Sequence, residues 1–271
     1  MPSSTRDWQP AALAVDAEAA VAYLDRVSVM PLLQQVAEAS IEALRLVPGQ
    51  SVLEVGCGSG VFLPRLGEAV GPSGRVVGID GAAALVPVAR RRVAALPAVT
   101  VEEANAYQLP YADNTFDAAH CERVLMHLDK PVRALREMAR VVKPGGRVVA
   151  AEPDWAGLQV ASSDPPAAEA LLHGWLAGLA QPRMGLELYA YVAEAGLADA
   201  EVTPVVPGIT DFAELIAYGA DLERIARELD AAGSMPRARS RAVIEEWTRA
   251  SAEHRFFGYL AMMVVAGTVP N

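Results

Sequence analysis

Apolar positions along this chain follow two periods in turn. Short unbroken apolar runs, the mark of strands covered on both faces, trade places with stripes at helical spacing. Residues 16–29 are Ala-rich, with Val21, Leu24 and Val27 at helical intervals. Pro31 opens a second helix, LLQQVAEASIEAL, which ends by Pro48-Gly49. Residues 51–55 predict a first strand, and VFLPRLGEAV, just after, a helix stopped at Gly71-Pro72-Ser73-Gly74. RVVGID, 75–80, is strand two. A helix over 82–95 follows, and Pro87 inside it demands a late start or a kink. Residues 98–103 alternate as strand three, LPYADNT is a loop, and 116–121 is strand four. Asp129 is placed to cap a helix with Pro131 in its first turn and a stripe of Val132, Leu135, Met138, Ala139 and Val142. RVVAAE, 147–152, is strand five. Five alternations of strand and helix require a parallel sheet with right-handed crossovers.

After Glu152 the rhythm changes. PDWAGLQVASSDPP is irregular, and helices are expected over 167–180 and 186–195, the second stopped by Gly196. Residues 201–206 read as strand six. Helical stretches cover 211–232 and 238–252, with Gly-Ser-Met-Pro between them, and FFGYLAMMVVA, 256–266, closes the chain as strand seven. The expected architecture is α/β: a Rossmann-like seven-stranded sheet, mostly parallel with the last strand antiparallel, with helices on both faces. Residues 1–47 supply N-terminal helices, 48–154 form the ligand-binding core, and 155–271 complete the sheet around two insertions, about 155–182 and 208–253. All three belong to one structural domain.

Composition narrows the class. The chain has 271 residues, 52% hydrophobic and 21% charged, which places it among globular proteins. A formal charge of −10 argues against a nucleic-acid or anionic-membrane partner. The two cysteines, Cys57 and Cys121, suggest neither a disulfide framework nor a metal site. MPSSTRDWQP lacks a basic segment followed by an apolar core, and no apolar run approaches the roughly 20 residues of a membrane helix. The expectation is a cytoplasmic enzyme without membrane insertion. The Ala-rich N-terminal helices suit packing on their own lid or on a second subunit, a homodimer.

The candidate chemistry centres on residues 51–60, SVLEVGCGSG, a strand running into Gly56, Gly58 and Gly60. Glycine there supplies backbone angles forbidden to other residues and lets the main chain approach a ligand. N–H groups at the following helix start would attract an anion. Asp80, at the end of strand two, is placed to accept hydrogen bonds from two ribose hydroxyls. The turn and the acid alone do not separate NAD from other adenosyl ligands.

The ordered run VLEVGCGSG, VVGID, ANAYQLPYADNTFDAAHCERVLMHL and LREMARVVKPGGRVVAAE resembles class I S-adenosylmethionine (SAM) dependent methyltransferases, in particular the small-molecule branch of ubiquinone/menaquinone-biosynthesis and natural-product enzymes. The resemblance is strong over about 46–152 and weak in the insertions. It implies that Glu54, Gly56, Cys57, Gly58 and Gly60 hold the methionine part of the cofactor, and Asp80 with Gly81 the ribose. It places Asn105-Ala106, where the family usually has Asp-Ala, at the adenine, and the backbone of Cys121-Glu122 over the cofactor. No metal is implied. Such a displacement needs little covalent catalysis, because alignment and desolvation supply about 7–11 kcal/mol.

For the acceptor, a small molecule, candidates collect beyond strands four and five. His127 is the candidate general base, or else a helix histidine packed against the sheet. Arg123 would meet an anionic acceptor or pair with Glu122. In EPDW, one carboxylate, Glu152 or Asp154, would bind a polar or cationic acceptor and Trp155 would form a wall, or else these residues serve ordinary helix-capping and core roles. The resemblance further implies a helical lid over the acceptor, built from the N-terminal helices (1–47) and the two insertions, and Tyr23 is the first choice in its N-terminal part. His173, Trp175, Tyr189, Tyr191, Tyr218, His254, Phe256 and Phe257 lie in or beside the insertions, as core or as acceptor lid. Cys57 reads as a small turn residue rather than a nucleophile. Four functions stay open at this point: methyl transfer to an O, N or C atom, a SAM-binding cyclase or rearrangement enzyme on the same fold, a non-catalytic subunit, and an NAD-linked oxidoreductase.

Overall fold

The structure is a computed structural model that describes residues 17–271. The opening residues, including Asp16 and the stretch without a leader-like pattern, lie outside it. Two helices come first, α1 (Ala17–Ser28) and α2 (Pro31–Leu44). The alternating core follows: β1 (Ser51–Val55), α3 (Leu63–Val70), β2 (Arg75–Asp80), α4 (Val86–Arg92), β3 (Val99–Glu103), β4 (Phe116–Glu122), α5 (Pro131–Val141) and β5 (Val142–Pro153).

The strands read as continuous apolar runs because both of their faces are covered. Val52, Leu53, Val76, Val77, Val148 and Val149 are all fully buried. Proline opens α2, α3, α4 and α5, where its missing N–H costs nothing. Pro87 decides the start of α4, which begins at Val86 rather than near residue 82. Asp129 is not the cap of α5. Lys130 holds that position without a side-chain bond, and the helix start rests on Pro131 instead.

The second half carries β6 (Gln159–Val160), α6 (Pro165–Leu176), α7 (Met184–Glu194), β7 (Ala198–Val205), β8 (Gly208–Ile209), α8 (Phe212–Ala217), α9 (Leu222–Ala231), α10 (Arg237–Ala252), β9 (Gly258–Tyr259) and β10 (Met262–Thr268). The seven-stranded sheet has the order β3-β2-β1-β4-β5-β10-β7. Its first five strands pair in parallel, and β10 runs antiparallel between β5 and β7.

Two expectations change. The helical stretch over 211–232 breaks into α8 and α9, because Gly219 takes φ 102° and Asp221 caps a new helix through the Arg224 N–H at 2.9 Å. The closing run over 256–266 is not one strand. Its first part, β9, pairs with β6 and β8 in a small separate sheet, and only Met262 onward enters the main sheet. Periodicity cannot reveal this, because an apolar run serves equally well in either sheet.

The insertions make a helical layer whose buried residues join the core of the sheet. Trp247 is fully buried against Phe212 and Phe256, at ring-centroid distances of 5.8 and 6.5 Å, and its Nε1–H donates to the Ala161 carbonyl at 3.0 Å. Among the described residues no helix is long and apolar enough to cross a membrane. Trp247→Ala removes the centre of this layer and is expected to cost about 3–5 kcal/mol. Denaturant unfolding followed by near-UV circular dichroism checks it, and a loss below about 1 kcal/mol would contradict this role.

Candidate functional site

Strand order reverses between β1 and β4, and in open α/β sheets ligands bind beyond the carboxyl ends of the strands at that point. A cavity of about 490 Å³ opens there. One half is walled by the ends of β1, β2, β3 and β4. The other half is walled by Tyr23 of α1, Trp155 after β5, Trp175 of α6 and Tyr218 after α8. The lid therefore draws on three segments far apart in the chain.

The glycine turn is tied to β2. The Gly56 and Cys57 N–H groups both donate to the Ile79 carbonyl at 2.8 Å. The Gly58 N–H donates to Asp80 Oδ2 at 2.8 Å, and Asp80 Oδ1 accepts from the Ala82 N–H at 2.8 Å. Gly60 N–H donates to the Cys57 carbonyl at 2.8 Å. These four N–H groups are thus engaged within the protein, and α3 starts only at Leu63, so they do not form the open anion cradle expected of the turn. Gly56 has φ 74°, and a Cβ there would lie 2.3 Å from Val124 Cγ2, so a bare main chain is obligatory. Burial raises the pKa of Asp80 against the pull of the Ala82 and Gly58 N–H groups.

Tyr23, Gly56, Gly58, Asp80, Gly81, Asn105, Ala106, Glu122, Arg123, His127 and Trp155 all line the cavity. Glu54, Cys57, Gly60, Cys121 and Asp154 do not. Glu54 is buried beneath the turn, with Oε2 2.7 Å from Nδ1 of fully buried His120. Burial opposes charge on both groups. Their attraction outweighs it at His120, whose pKa is raised, while that of Glu54 is raised by burial. Burial also pushes both thiols, Cys57 and Cys121, well above the ordinary range. Neither is a nucleophile. Asn105 Oδ1 accepts from the Tyr107 N–H at 2.8 Å, which fixes the side chain at the cavity rim.

The segment after β4 forms the middle of the wall, and Glu152 holds it. Its Oε1 accepts from the Val124 and Leu125 N–H groups at 2.9 and 2.7 Å, and Oε2 from Met126 N–H at 3.3 Å. This single carboxylate satisfies the start of the short helical turn Leu125–His127. Arg123, just before it, has φ 54° and donates its N–H to Ala151 at 2.9 Å. His127 is half-buried. Burial and the neighbouring Arg123 push its pKa down to about 3.

The glycines and Asp80 follow from a local strand–turn–helix pattern. The wall residues Leu24, Glu103, Tyr107, Val124, Met126, Trp175 and Tyr218 do not. Only Glu103 carried a usable signal, the rule that ligands gather at carboxyl ends of strands. Trp175 and Tyr218 stood among aromatics equally suited to the core. In the structure Trp155 packs edge-on against both, at 5.2 and 5.8 Å.

A family model described as a methyltransferase domain matches residues 53–150. An uncharacterized 37.1 kDa protein in transposon TN4556 of Streptomyces fradiae is 35% identical over 90% of this chain and 70% of its own length. The demethylmenaquinone methyltransferase of Halalkalibacterium halodurans is 39% identical, but over 42% of this chain and 47% of its own length. The chain thus spans about half of that relative. Among solved structures, geranyl diphosphate C-methyltransferase from Streptomyces coelicolor, in complex with Mg²⁺, geranyl diphosphate and S-adenosylhomocysteine, superimposes with a TM-score of 0.55. The match covers 92% of this chain and 82% of that one at 18% identity, a likeness of fold.

Burial lifts the Glu152 carboxyl to about 8 from its ordinary 4.5, against the pull of the three N–H groups. A raised folded-state pKa stabilises fully below 4.5 and loses that contribution as pH rises through 8. Glu152→Gln keeps an acceptor for Val124 and Leu125 and cannot ionise. The native protein should therefore lose more thermal stability than E152Q between about pH 4.5 and about pH 8. Equal losses in melting scans would refute the assignment.

Proposed function

Because the chain belongs to the class I SAM-dependent methyltransferases, we propose that it transfers the methyl group of SAM to an oxygen, nitrogen or carbon atom of a small, partly apolar molecule. The observation that carries this reading is the cavity at the β1/β4 switch point. It has a bare glycine turn and a ribose-ready acid on one side and a lid of aromatic rings on the other.

The residues present fit SAM. Main chain at Gly56 and Gly58 faces the cavity without side chains. Asp80 lines it, and each carboxylate oxygen keeps lone pairs beyond the one given to Gly58 or Ala82. Asn105 keeps its amide N–H groups and a second lone pair for a purine edge. SAM held by these residues would supply an electrophilic methyl on a sulfonium, open to displacement by an acceptor lone pair with the carbon–sulfur electrons left on sulfur.

The chain's own part is binding, alignment and exclusion of water. Tyr23, Trp155, Trp175 and Tyr218 bury the apolar part of the acceptor and hold its nucleophilic atom in line. His127 lines the same space. With a pKa near 3 it is neutral throughout the working pH range and a weak proton acceptor, poorly matched to general-base catalysis near neutrality. It serves as wall rather than base. An acceptor that already carries an ionised or otherwise free lone pair needs no more than this.

Two outcomes test the reading. Calorimetry should show binding of SAM and S-adenosylhomocysteine, weakened at least about tenfold, or about 1.4 kcal/mol, by Asp80→Ala. No binding of either ligand would overturn the proposal. With an acceptor found by screening for S-adenosylhomocysteine release, His127→Ala should change kcat less than about tenfold. It should also leave the pH profile without a lost limb, whereas a kcat loss of about a hundredfold or more would make His127 the base.

A further inference from the structure

Three acids line the cavity: Asp80 and Glu103 at the ends of β2 and β3, in the cofactor half, and Glu122 at the end of β4, beside Arg123. Arg123 is the one Lys or Arg among the described residues that line the cavity, and it stands where the wall meets the lid. Its charge is felt by Tyr218 of the lid and by His127. Its side chain is 15% exposed, so the guanidinium is largely out of bulk water. An ion so placed needs partners, because desolvation is costly.

Those partners are incomplete. Among the described residues the Arg123 guanidinium has one hydrogen bond, from Nε to Glu122 Oε1, and at 3.3 Å it is long for a charge-assisted contact; beyond it the charges of Glu122 and Glu152 act on the group without a further hydrogen bond. Neither terminal nitrogen, the two that present a fork to a carboxylate, has a bond within the described protein. Glu122 is therefore a side partner, and the forked end is left for something else. Two further donors stand in the same lid. Trp155 and Tyr218 are each 6% exposed, their rings pack edge to face, and Trp155 Nε1–H and Tyr218 Oη–H have no hydrogen-bond partner among the described residues. Cation and unpaired donors together favour an oxygen-rich anion over a neutral or cationic group.

We infer that the acceptor is a small aromatic or apolar molecule bearing an anionic oxygen group, a carboxylate above all, and that Arg123 holds that group through its terminal nitrogens. This rests on the methyltransferase reading, since it assigns the other half of the same cavity. Arg123 then acts as a specificity residue. It fixes the end of the acceptor remote from the reacting atom, while the aromatic rings cover the body. The carboxylate of the cofactor itself is the rival source of the same chemistry, and the experiment separates the two.

The test uses the full chain loaded with S-adenosylhomocysteine and follows tryptophan fluorescence as 1-naphthoate or its neutral amide is added. The expected result is binding of the acid at least about tenfold tighter than the amide. That preference should vanish in Arg123→Met and survive in part in Arg123→Lys. The affinity for S-adenosylhomocysteine should stay within about threefold in both variants, which also shows that they are folded. Equal binding of acid and amide by the native protein, binding of neither, or a preference that persists in R123M overturns the inference. So does a tenfold loss of S-adenosylhomocysteine affinity in R123M with 5′-methylthioadenosine, which lacks the carboxylate, unaffected; Arg123 then belongs to the cofactor. Failure of the native protein to bind S-adenosylhomocysteine at all falls instead on the methyltransferase reading.

Discussion

The glycine turn is held by the strand beside it. Ile79 offers one carbonyl to two successive N–H groups, of Gly56 and Cys57, and Asp80 takes the N–H of Gly58. Three consecutive main-chain donors at the end of β1 are thus paired to the last two residues of β2. Everything else at the site takes its position from this. Asp80 is aimed by it, since one oxygen goes to the turn and the other to Ala82. Val124 packs into the space left by the missing Cβ of Gly56, so the wall after β4 closes against the same turn. Leu24 of α1 approaches Gly58 in the same way, and so the lid also rests there.

Acidic residues are buried here under unusual constraint. Glu54 and Glu152 are both almost wholly enclosed, and each is retained because it satisfies donors that have no other acceptor. Glu54 answers His120 on the neighbouring strand. Glu152 answers three main-chain N–H groups in a segment too short to satisfy them by its own helical bonds. A carboxylate serving as a main-chain clamp leaves the cavity surface free for side chains that face a ligand. It also explains how Arg123 is held in a left-handed backbone conformation, which a residue with a side chain adopts only when its surroundings fix it.

The lid is fastened by polar ties as well as by apolar packing. Asp25 of α1 meets Arg92 of α4 through two contacts of 2.7 and 2.8 Å, and Arg92 also reaches Ser59 in the turn. Arg26 donates to the Ala217 carbonyl at the end of α8 at 3.0 Å. One helix therefore joins the cofactor half of the core to the second insertion. Exposed ion pairs contribute little singly, but these contacts are partly buried and two of them share Arg92, which favours one arrangement of α1 against the core and the second insertion.

The sequence by itself determined the alternating core, the glycine turn, Asp80 and the family, because each is a local pattern. Apolar runs mark strands buried on both faces, proline marks helix starts, and three glycines mark backbone angles that other residues refuse. It missed where a pattern had two equal solutions. The apolar tail over 256–266 suits either sheet, and the buried Glu54 looks in sequence like a cofactor ligand. The tertiary structure alone decided which aromatics face the cavity, that Glu54 pairs with His120 below it, and that Glu152 holds the wall. It also decided that the N–H groups of the turn are already engaged. The physical reason is that these depend on contacts between segments tens to hundreds of residues apart. A hydrogen bond such as that from Leu125 to Glu152, or an aromatic contact such as that of Trp155 with Tyr218, leaves no spacing in the chain to be read.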